Sequence, residues 1–263
     1  MQNKPTLFLI LLFFGCGIAL AQKNDDDGAR RLAQLVNGER TPAGLTALAW
    51  DAAIAQAALA HAQRMAERGD LSHEFPGEPK LRERMAATGV RFNAAAENVA
   101  FDNDVDGAHT NLMRSPGHRA NILSPLYNAI GVAVVWREGR AYVVEDFARK
   151  MADRSDAEAT SMVLAAFNRQ RRAAGLPAVR LARDLHAEAC RMARADKVST
   201  RGISAANATS LVAFTTFQPE ELPSSVTTRL GEREIRSVAI GACFARTPSY
   251  PAGADWVVMA FYP

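Results

Sequence analysis

Three short motifs in the first half of the chain bring together residue types that bind metals. They are Leu71–His73, Ala96–Ala100 and Ser115–Leu123. The polar side chains that they contribute are His73, Glu97 and His118. Two imidazoles and a carboxylate form an open ligand set for zinc or a similar divalent ion, with a position left for water. We therefore predict a ligand cleft at these three residues, with zinc as the candidate cofactor.

Two other interpretations of the motifs stay open. Ser72 and Ser115 stand near the histidines, but a serine nucleophile also needs an orienting acid in line with the imidazole. Ser115 precedes a proline and is better placed to cap a turn. The sequence has no His-Glu-x-x-His helix, which is the metalloprotease pattern. In the purely structural interpretation, Glu97 accepts backbone N–H bonds and the histidines only orient loops.

The elements predicted around the motifs place the three residues at the ends of helices and strands. The predicted helices lie near 29–40, 51–68, 79–88 and from a cap at Asp106 to Arg114, and the predicted strands lie near 129–136 and 141–148, joined by a hairpin turn at Glu138–Arg140. His73 then follows the second helix, Glu97 opens a strand or turn, and His118 follows a Pro-Gly turn. Side chains at such ends can point into a common groove.

Other polar residues near the motifs are assigned to the scaffold. His61 lies in a helical apolar series and is predicted to be partly buried in the core. His109 is predicted to be an exposed helical residue, with the alternative that it approaches the site as a fourth group. Arg119 and Asn121 are predicted to fasten the turn through backbone hydrogen bonds.

The order and spacing of the three motifs resemble those of the CAP superfamily, the cysteine-rich secretory, antigen 5 and pathogenesis-related-1 proteins, and within it the bacterial secreted branch. The match continues into Ile130–Val134 and Tyr142–Phe147 and covers residues 30–149. The chain departs from the family pattern at three positions. Family members carry an aromatic residue, Gly and Trp, respectively, where this chain has Leu71, Ala96 and Leu112. These changes affect packing and a loop more than the His/Glu set.

This resemblance implies an α+β fold, the CAP-type α-β-α sandwich, for residues 30–149. It also implies that the histidines equivalent to His73 and His118 bind a divalent metal in some members, with the glutamate equivalent to Glu97 nearby. Several branches of the family are linked to lipid or sterol binding. A small apolar or cell-envelope ligand is therefore a further hypothesis.

Binding is the function that these observations favour over catalysis. The alternative is an enzyme, a metal-assisted hydrolase that acts outside the cytoplasm. A third class is a non-catalytic interaction module in which the His/Glu set is a purely structural clamp. Metal content of the purified protein would separate the first two classes from the third, and turnover that disappears on chelation would favour the enzyme.

Composition sets bounds on these hypotheses. The chain has 263 residues, of which 48% are hydrophobic and 22% are charged, and its net charge is +3. These values are typical of an ordinary globular protein. Because no basic stripe with interleaved aromatic residues is present, a nucleic-acid partner is not predicted. Beyond the N-terminus, no apolar stretch reaches the length of a membrane span, so no stable span is predicted.

Residues 1–21 are predicted to be an export signal. An uncharged apolar run, Thr6–Phe14, is followed by the Ala-Leu-Ala that ends at Ala21, a small-x-small pattern typical of signal-peptidase sites. We expect cleavage after Ala21, a secreted or periplasmic mature protein, and a hydrophilic linker over 22–29. The alternative is a lipoprotein anchored at Cys16, whose preceding residues fit a lipoprotein signal poorly.

An internal repeat links the two halves of the chain. The aligned pairs are Val36–Leu45 with Phe167–Leu176, without a gap, and Tyr142–Phe147 with Trp256–Phe261. The offset of the first pair places Ser204 at the position of His73, and the other two motifs do not recur after residue 157. We therefore predict a degenerate second CAP-like lobe over 157–263, which keeps the scaffold and lacks the site.

Two cysteines remain after removal of the signal, Cys190 and Cys243. An even pair in an oxidising compartment favours a disulfide, which we expect to join a helix and a strand of the second lobe. The alternative is that both cysteines are buried separately as small hydrophobic residues.

Overall fold

The structure, a computed structural model, describes residues 22–263. The predicted signal peptide of residues 1–21 lies outside the described residues. The described chain contains two separate sheets. We call residues 22–150 lobe 1 and residues 151–263 lobe 2. No helix in the described part of the chain combines the length and the apolar composition that crossing a membrane requires.

Lobe 1 is a sheet with helices on both faces. Its strands are β1 (Lys23–Asn24), β2 (Ala49–Trp50), β3 (Phe92–Asp102), β4 (Ala129–Arg137) and β5 (Arg140–Lys150). Its helices are α1 (Asp26–Arg40), α2 (Ala52–Arg68), α3 (Leu81–Ala87), α4 (Val105–Arg114) and α5 (Pro116–Ile122). The strand order is β1-β4-β5-β3, and β2 also pairs with β4. The strand β3 therefore forms one edge of the sheet.

Two apolar cores fix the layers of lobe 1. The helices α1, α4 and α5 pack on one face of β4 and β5, and α2 and α3 pack on the other. Alternate strand residues supply the two cores, since successive side chains of a strand point to opposite faces. The α+β class and the predicted α-β-α sandwich are confirmed by this arrangement.

Residues 22–29 do not form the predicted linker. Their first residues form β1, which pairs antiparallel with the end of β4, and α1 already begins at Asp26. Asp25 caps this helix by accepting a hydrogen bond from the Gly28 amide at 2.9 Å, and it accepts another from the Trp136 indole at 2.9 Å. The acidic run thus starts a helix, where negative charge interacts favourably with the helix dipole.

Two turn predictions in lobe 1 have different outcomes. Asp104, not Asp106, caps α4 by accepting a hydrogen bond from the Gly107 amide at 2.7 Å. The hairpin between β4 and β5 turns at Glu138 and Gly139, as predicted. Both residues have positive φ, 53° and 75°, the conformation that a two-residue type I′ hairpin turn requires.

Lobe 2 repeats the strand order of lobe 1. Its strands are β6 (Arg180–Asp184), β7 (Ser210–Thr216), β8 (Ser237–Ala245) and β9 (Ala254–Tyr262), and its helices are α6 (Asp156–Ala173), α7 (His186–Arg194) and α8 (Ser224–Thr227). The order β6-β8-β9-β7 corresponds to β2-β4-β5-β3. The helix α6 begins after Ser155, which forms a capping box with Glu158.

The same asparagine holds the same loop in each lobe. Asn37 accepts a hydrogen bond from the Leu48 amide at 2.8 Å and donates to the Leu48 carbonyl at 3.1 Å. Asn168 makes the same two bonds with Val179, at 2.8 and 2.9 Å. Asn37 and Asn168 are partners in the sequence repeat, and Leu48 and Val179 follow at the same offset, so the gapless alignment reflects a shared clamp.

Two further features recur at matched positions. The buried guanidinium groups of Arg40 and Arg171 each donate hydrogen bonds to loop carbonyls. A Cβ atom at Gly131 would lie 2.1 Å from the backbone of α2, and one at Gly241 would lie 2.0 Å from the backbone chain just before α7. Only glycine therefore allows the second helix of each lobe to pack this closely on its sheet.

Candidate functional site

The three predicted site residues come from separate elements that meet around the edge strand β3. His73 lies in the loop between α2 and α3, Glu97 lies within β3, and His118 lies in the first turn of α5. Two local predictions need correction. Glu97 stands in the middle of an 11-residue strand and does not open it. The Pro-Gly pair before His118 begins α5 and is not a turn, because proline suits the first position of a helix.

Glu97 is the buried centre of the site. Its Oε1 lies 3.0 Å from Nδ1 of His73, and its Oε2 forms an ion pair with the guanidinium of Arg84. Nε2 of His61 lies 3.9 Å from the same Oε2. Burial of a carboxylate is strongly unfavourable unless it is paired and hydrogen-bonded. Both oxygens of Glu97 are engaged in this way.

Three further buried polar side chains, His61, Glu78 and Arg84, form a network next to Glu97. Nδ1 of His61 lies 2.7 Å from Oε1 of Glu78, and its Nε2 lies 2.8 Å from the carbonyl oxygen of Ser72. Nη1 of Arg84 lies 3.9 Å from the same Glu78 oxygen. His61 is fully buried, where the sequence predicted partial burial. Its contact with Ser72 holds the loop that carries the next residue, His73.

The opposite face of β3 holds α5 in place. Asn98 donates from Nδ2 to the carbonyl oxygen of His118 at 3.2 Å and to Oε2 of Glu145 at 3.0 Å. Asn121 donates to Oδ1 of Asn98 at 2.9 Å and to the carbonyl oxygen of Glu97 at 3.4 Å. The helix that carries His118 is thereby fastened to the strand that carries Glu97. The predicted fastening role of Asn121 is confirmed by these bonds.

His118 lies close enough to His73 for the charges of the two rings to interact. Partial burial lowers the pKa of His118, and the positive charge of His73 lowers it further. The neutral imidazole, which a lowered pKa favours, is the form that binds metal ions. Within residues 22–263, His118 is hydrogen-bonded through its carbonyl group, and its ring nitrogens have no hydrogen-bond partner.

Two consecutive buried carboxyl groups, Glu145 and Asp146, lie on β5 directly opposite Asn98 and Glu97 of β3. Burial raises the pKa of Glu145 to about 7, and the hydrogen bond from Asn98 opposes that shift. Burial raises the pKa of Asp146 well above its ordinary value, and the nearby charge of Glu97 raises it further. Neither oxygen of Asp146 has a hydrogen-bond partner in the described chain. This arrangement favours a protonated Asp146 beside Glu97.

Two predicted neighbours of the site lie elsewhere. His109 is buried on α4, and its Nε2 is 3.8 Å from Oε1 of Glu39 on α1. It is therefore neither the exposed helical residue that we predicted nor a fourth member of the cleft. Burial lowers its pKa. Arg119 is exposed on α5, and the fastening of this segment depends on Asn121 instead.

Lobe 2 replaces the polar centre of lobe 1 by apolar residues. When Phe147 is aligned with Phe261, the polar strand residues Glu97, Asn98, Glu145 and Asp146 correspond to Leu211, Val212, Met259 and Ala260. If Gly131 is instead aligned with Gly241, the alignment of the strands shifts by two residues. The lobe-2 residues that then correspond to the four polar residues are again all apolar. Lobe 2 therefore repeats the scaffold without the charges that support the cleft.

Among the described residues, one group of three or more His, Cys, Asp or Glu side chains has all its ligand atoms within 4.8 Å of one another. It lies in lobe 2 and consists of Asp156, His186, Cys190 and Cys243. In it, Cys190 of α7 and Cys243 of β8 form a disulfide, which confirms the predicted pairing of a helix with a strand.

Two cavities open in lobe 1 near these elements. One, of about 500 Å³, lies between α2 and α3 and reaches Glu78 and Arg84 beneath the cleft. The other, of about 300 Å³, lies between α1 and α2 at the edge of β4. Its walls are largely apolar and include Trp50, Leu59 and Val132.

Comparison with known families agrees with the order of the motifs. Residues 33–147 match the model of the cysteine-rich secretory protein family, CAP. Lobe 1 is a CAP domain. The matched range contains all three motifs and ends at the last apolar residues of β5, so the CAP domain includes both the cleft and the strands that support it.

Two curated relatives from Bacillus subtilis match the CAP domain. One is an uncharacterized membrane protein, YlbC, 32% identical over 123 residues, which are 46% of this chain and 34% of the relative. The other is an uncharacterized protein, YkwD, 31% identical over 107 residues, which are 40% of this chain and 42% of the relative. The chain thus spans less than half the length of the curated relatives it matches.

Solved structures similar to this chain include the following two proteins. An extracellular SCP-domain protein of Bacillus anthracis is 28% identical, with a TM-score of 0.44 over 48% of this chain and 41% of that one. Na-ASP-1 is 10% identical, with a TM-score of 0.45 over 94% of this chain and 91% of that one.

Proposed function

We propose that the CAP domain binds a divalent metal ion through ring nitrogens of His73 and His118. The observation that carries this proposal is the 3.0 Å contact between Oε1 of Glu97 and Nδ1 of His73. A carboxylate at one ring nitrogen fixes the tautomer of a histidine and presents the other nitrogen to a metal. Nε2 of His73 is then the ligand atom.

The residues beneath the cleft suit such a site. Arg84 and His61 hold Glu97 in a single orientation from the side away from His73. The bonds of Asn98 and Asn121 set the position of His118 relative to β3. With two histidine ligands, a zinc ion would keep positions for water and would polarise that water or an oxygen of a bound ligand.

Calorimetric titration of the oxidised protein with zinc tests the proposal. We expect His73→Ala and His118→Ala each to weaken binding strongly, because each removes a ligand. His186→Ala, which removes an exposed histidine of lobe 2, should leave zinc binding unchanged while the disulfide is intact. Equal binding by the wild type and the His73/His118 double variant would leave only the structural interpretation of the cleft.

Replacing Glu97 tests whether its carboxylate supports metal binding. Glu97→Gln keeps the shape of the side chain but removes the carboxylate that faces His73. Loss of such an outer partner typically weakens metal binding by about 10–100-fold. A variant that binds zinc as tightly as the wild type would show that Glu97 does not orient the ligand.

The apolar pocket at Trp50 supports a small apolar ligand as a second part of the proposal. A brominated fatty acid that occupies this pocket should quench the fluorescence of Trp50. Ala55→Leu narrows the pocket and should reduce the quenching, whereas Ala208→Leu in lobe 2 should not. Equal quenching in all three proteins would contradict binding at this pocket.

Turnover of a peptide or envelope substrate that ceases on chelation and in His118→Ala would instead identify a hydrolase.

We further propose that the protein acts outside the cytoplasm, after removal of residues 1–21, and that lobe 2 is a degenerate CAP-like repeat. The disulfide supports the first point, because disulfides persist in oxidising compartments. The shared strand order and the matched clamps of Asn37 and Asn168 support the second.

A further inference from the structure

The lobe-2 cluster of Asp156, His186, Cys190 and Cys243 takes no part in the proposed CAP site. Asp156 begins α6, His186 begins α7, Cys190 follows one turn later, and Cys243 lies on β8. Their ligand atoms all lie within 4.8 Å of one another. In a tetrahedral zinc site with sulfur, nitrogen and oxygen ligands, neighbouring ligand atoms are about 3.3–3.8 Å apart. Apart from the two sulfur atoms, which the disulfide holds closer together, the ligand atoms therefore lie within about 1 Å of the spacing that zinc requires.

The imidazole of His186 is oriented for ligation by Nε2. Its Nδ1 lies 2.9 Å from the carbonyl oxygen of Ala242, a contact that requires the hydrogen to be on Nδ1. In the neutral ring, Nε2 then carries the lone pair, and it lies 3.5 Å from Sγ of Cys190. Metal-binding histidines commonly donate their other ring N–H to a backbone carbonyl in this way.

The carboxylate of Asp156 is fixed beside the sulfur atoms. Its Oδ1 accepts a hydrogen bond from the Phe244 amide at 2.8 Å, and Phe244 directly follows Cys243 on β8. Its Oδ2 lies 3.6 Å from Nδ1 of His186. One oxygen therefore anchors the group to the strand, and the other remains for a cation.

We propose that reduction of the Cys190–Cys243 disulfide converts this cluster into a zinc site with ligands from both cysteines, Nε2 of His186 and a carboxylate oxygen of Asp156. A dithiol reductant supplies the two electrons and two protons. Its own S–H groups become a disulfide while the Cys190–Cys243 bond breaks to give two thiols. Zinc binds both sulfurs as thiolates, and their two protons pass to solvent. The disulfide and the metal are therefore alternative occupants of one place.

A cation can reach this cluster from solvent. A groove of about 530 Å³ borders it, lined among others by Asp156, Thr160 and Asp184. His186 is exposed at the groove, whereas Cys243 is buried. The carboxylates of the groove favour the approach of a positive ion.

Lobe 1 has different residues at the matched positions. The offset of 131 residues that relates the helices pairs His186 with Ala55 and Cys190 with Leu59. Alignment of Gly241 with Gly131 pairs Cys243 with Ala133. In lobe 1 these residues line the apolar pocket. The thiol cluster is therefore particular to lobe 2 and is not a remnant of the cleft in the CAP domain.

Cobalt titration of the purified protein tests the proposal. The protein is reduced with a phosphine, desalted without oxygen and titrated with Co²⁺, whose sulfur-to-metal charge-transfer absorption reports thiolate ligands. We expect one equivalent of thiolate-bound cobalt in the reduced protein, displaced by zinc, and none in the oxidised protein. Circular dichroism of the reduced, metal-free protein shows whether lobe 2 keeps its fold.

Matched variants assign the ligands. Cys190→Ser and Cys243→Ser should each abolish the charge-transfer band. His186→Ala and Asp156→Asn should each weaken cobalt binding by more than about tenfold, since loss of even an outer partner typically weakens it by about 10–100-fold. The double variant His73→Ala, His118→Ala should keep the full signal. Failure of the proposed CAP site would therefore leave this test unaffected.

Several results would overturn the proposal. One is a reduced protein that keeps its native circular dichroism and binds no thiolate-coordinated cobalt. Another is equal affinity in the wild type, His186→Ala and Asp156→Asn, because the thiols alone would then bind the metal. If reduction unfolds lobe 2, recovery of the native spectrum on addition of zinc supports the proposal, and lack of recovery contradicts it.

Discussion

Replacement of Arg84 by methionine tests the buried charge network that contacts Glu97 next to the proposed metal site of lobe 1. The side chains of Arg84 and Glu97 are 4% and 3% exposed, and that of Glu78 is 5% exposed. Methionine keeps much of the length of arginine but removes its positive charge. Two buried carboxyl groups are then left without their guanidinium partner.

The expected loss is large at neutral pH. Removal of one partner from a buried ion pair typically destabilises a protein by about 3–5 kcal/mol. His61 still contacts both carboxyl groups, at 2.7 Å from Glu78 and 3.9 Å from Glu97, so we expect a loss of free energy of unfolding near the lower end of this range. At lower pH, protons neutralise the stranded carboxylates, and the difference between variant and wild type should shrink.

Urea denaturation at neutral pH and at about pH 5 measures this difference. Arg82→Met on the same helix is the matched control, because Arg82 is exposed and such surface changes usually stay within about 0.5 kcal/mol. Glu97→Gln added to Arg84→Met should recover part of the loss, since it removes one stranded charge. The reasoning is refuted if Arg84→Met costs no more than Arg82→Met, or if its effect is the same at both pH values.

Three other predictions concern the buried carboxyl group of Glu145, the disulfide of lobe 2 and the N-terminus of the mature protein. Burial raises the pKa of Glu145 from 4.5 to about 7, so the folded state binds the extra proton and wild-type stability should fall as pH rises through that window, by up to about 3 kcal/mol. Glu145→Gln should flatten the dependence of melting temperature on pH, and the exposed Glu138→Gln should not. Reduction in the absence of metal should lower the melting temperature of lobe 2 alone, because such a cross-link stabilises by about 2–4 kcal/mol; an unchanged calorimetric trace with two free thiols would contradict this. Mass spectrometry of the mature protein should find Gln22 at its N-terminus, and a lipidated Cys16 would show that the other export route is used.

The sequence predicted the parts of the fold that depend on local signals or on repetition. The motif order indicated the CAP sandwich, and the repeat indicated the matched loops, whose physical basis is the clamp of Asn37 and its counterpart Asn168. The predicted linker over 22–29 is wrong, because a polar run before a helix is typical both of a linker and of a helix N-terminus. Strand β1 is only two residues long and gave no periodic signal.

The buried network beneath the cleft was not predictable from the same signals. Arg84 stands among charged residues of α3, a pattern that equally describes a solvent-exposed helix face. His61 lies in an apolar helical series, which indicated burial but could not name Glu78 as its partner, since that contact forms only when the α2–α3 loop folds back. Pairings of this kind depend on tertiary packing. His73 and His118, in contrast, lie within sequence motifs and could therefore be named as candidates from the sequence alone.

The contrast between the polar strands of lobe 1 and the apolar strands of lobe 2 has an evolutionary consequence. A carboxyl group buried in a sheet opposes folding in its ionised form, and burial raises the pKa of both Glu145 and Asp146. In a protein with two like lobes, selection needs to maintain these groups in only one copy, and the other is free to exchange them for residues that pack better. Lobe 2 thus serves as a natural guide to the substitutions that would stabilise lobe 1 at the expense of its proposed metal site.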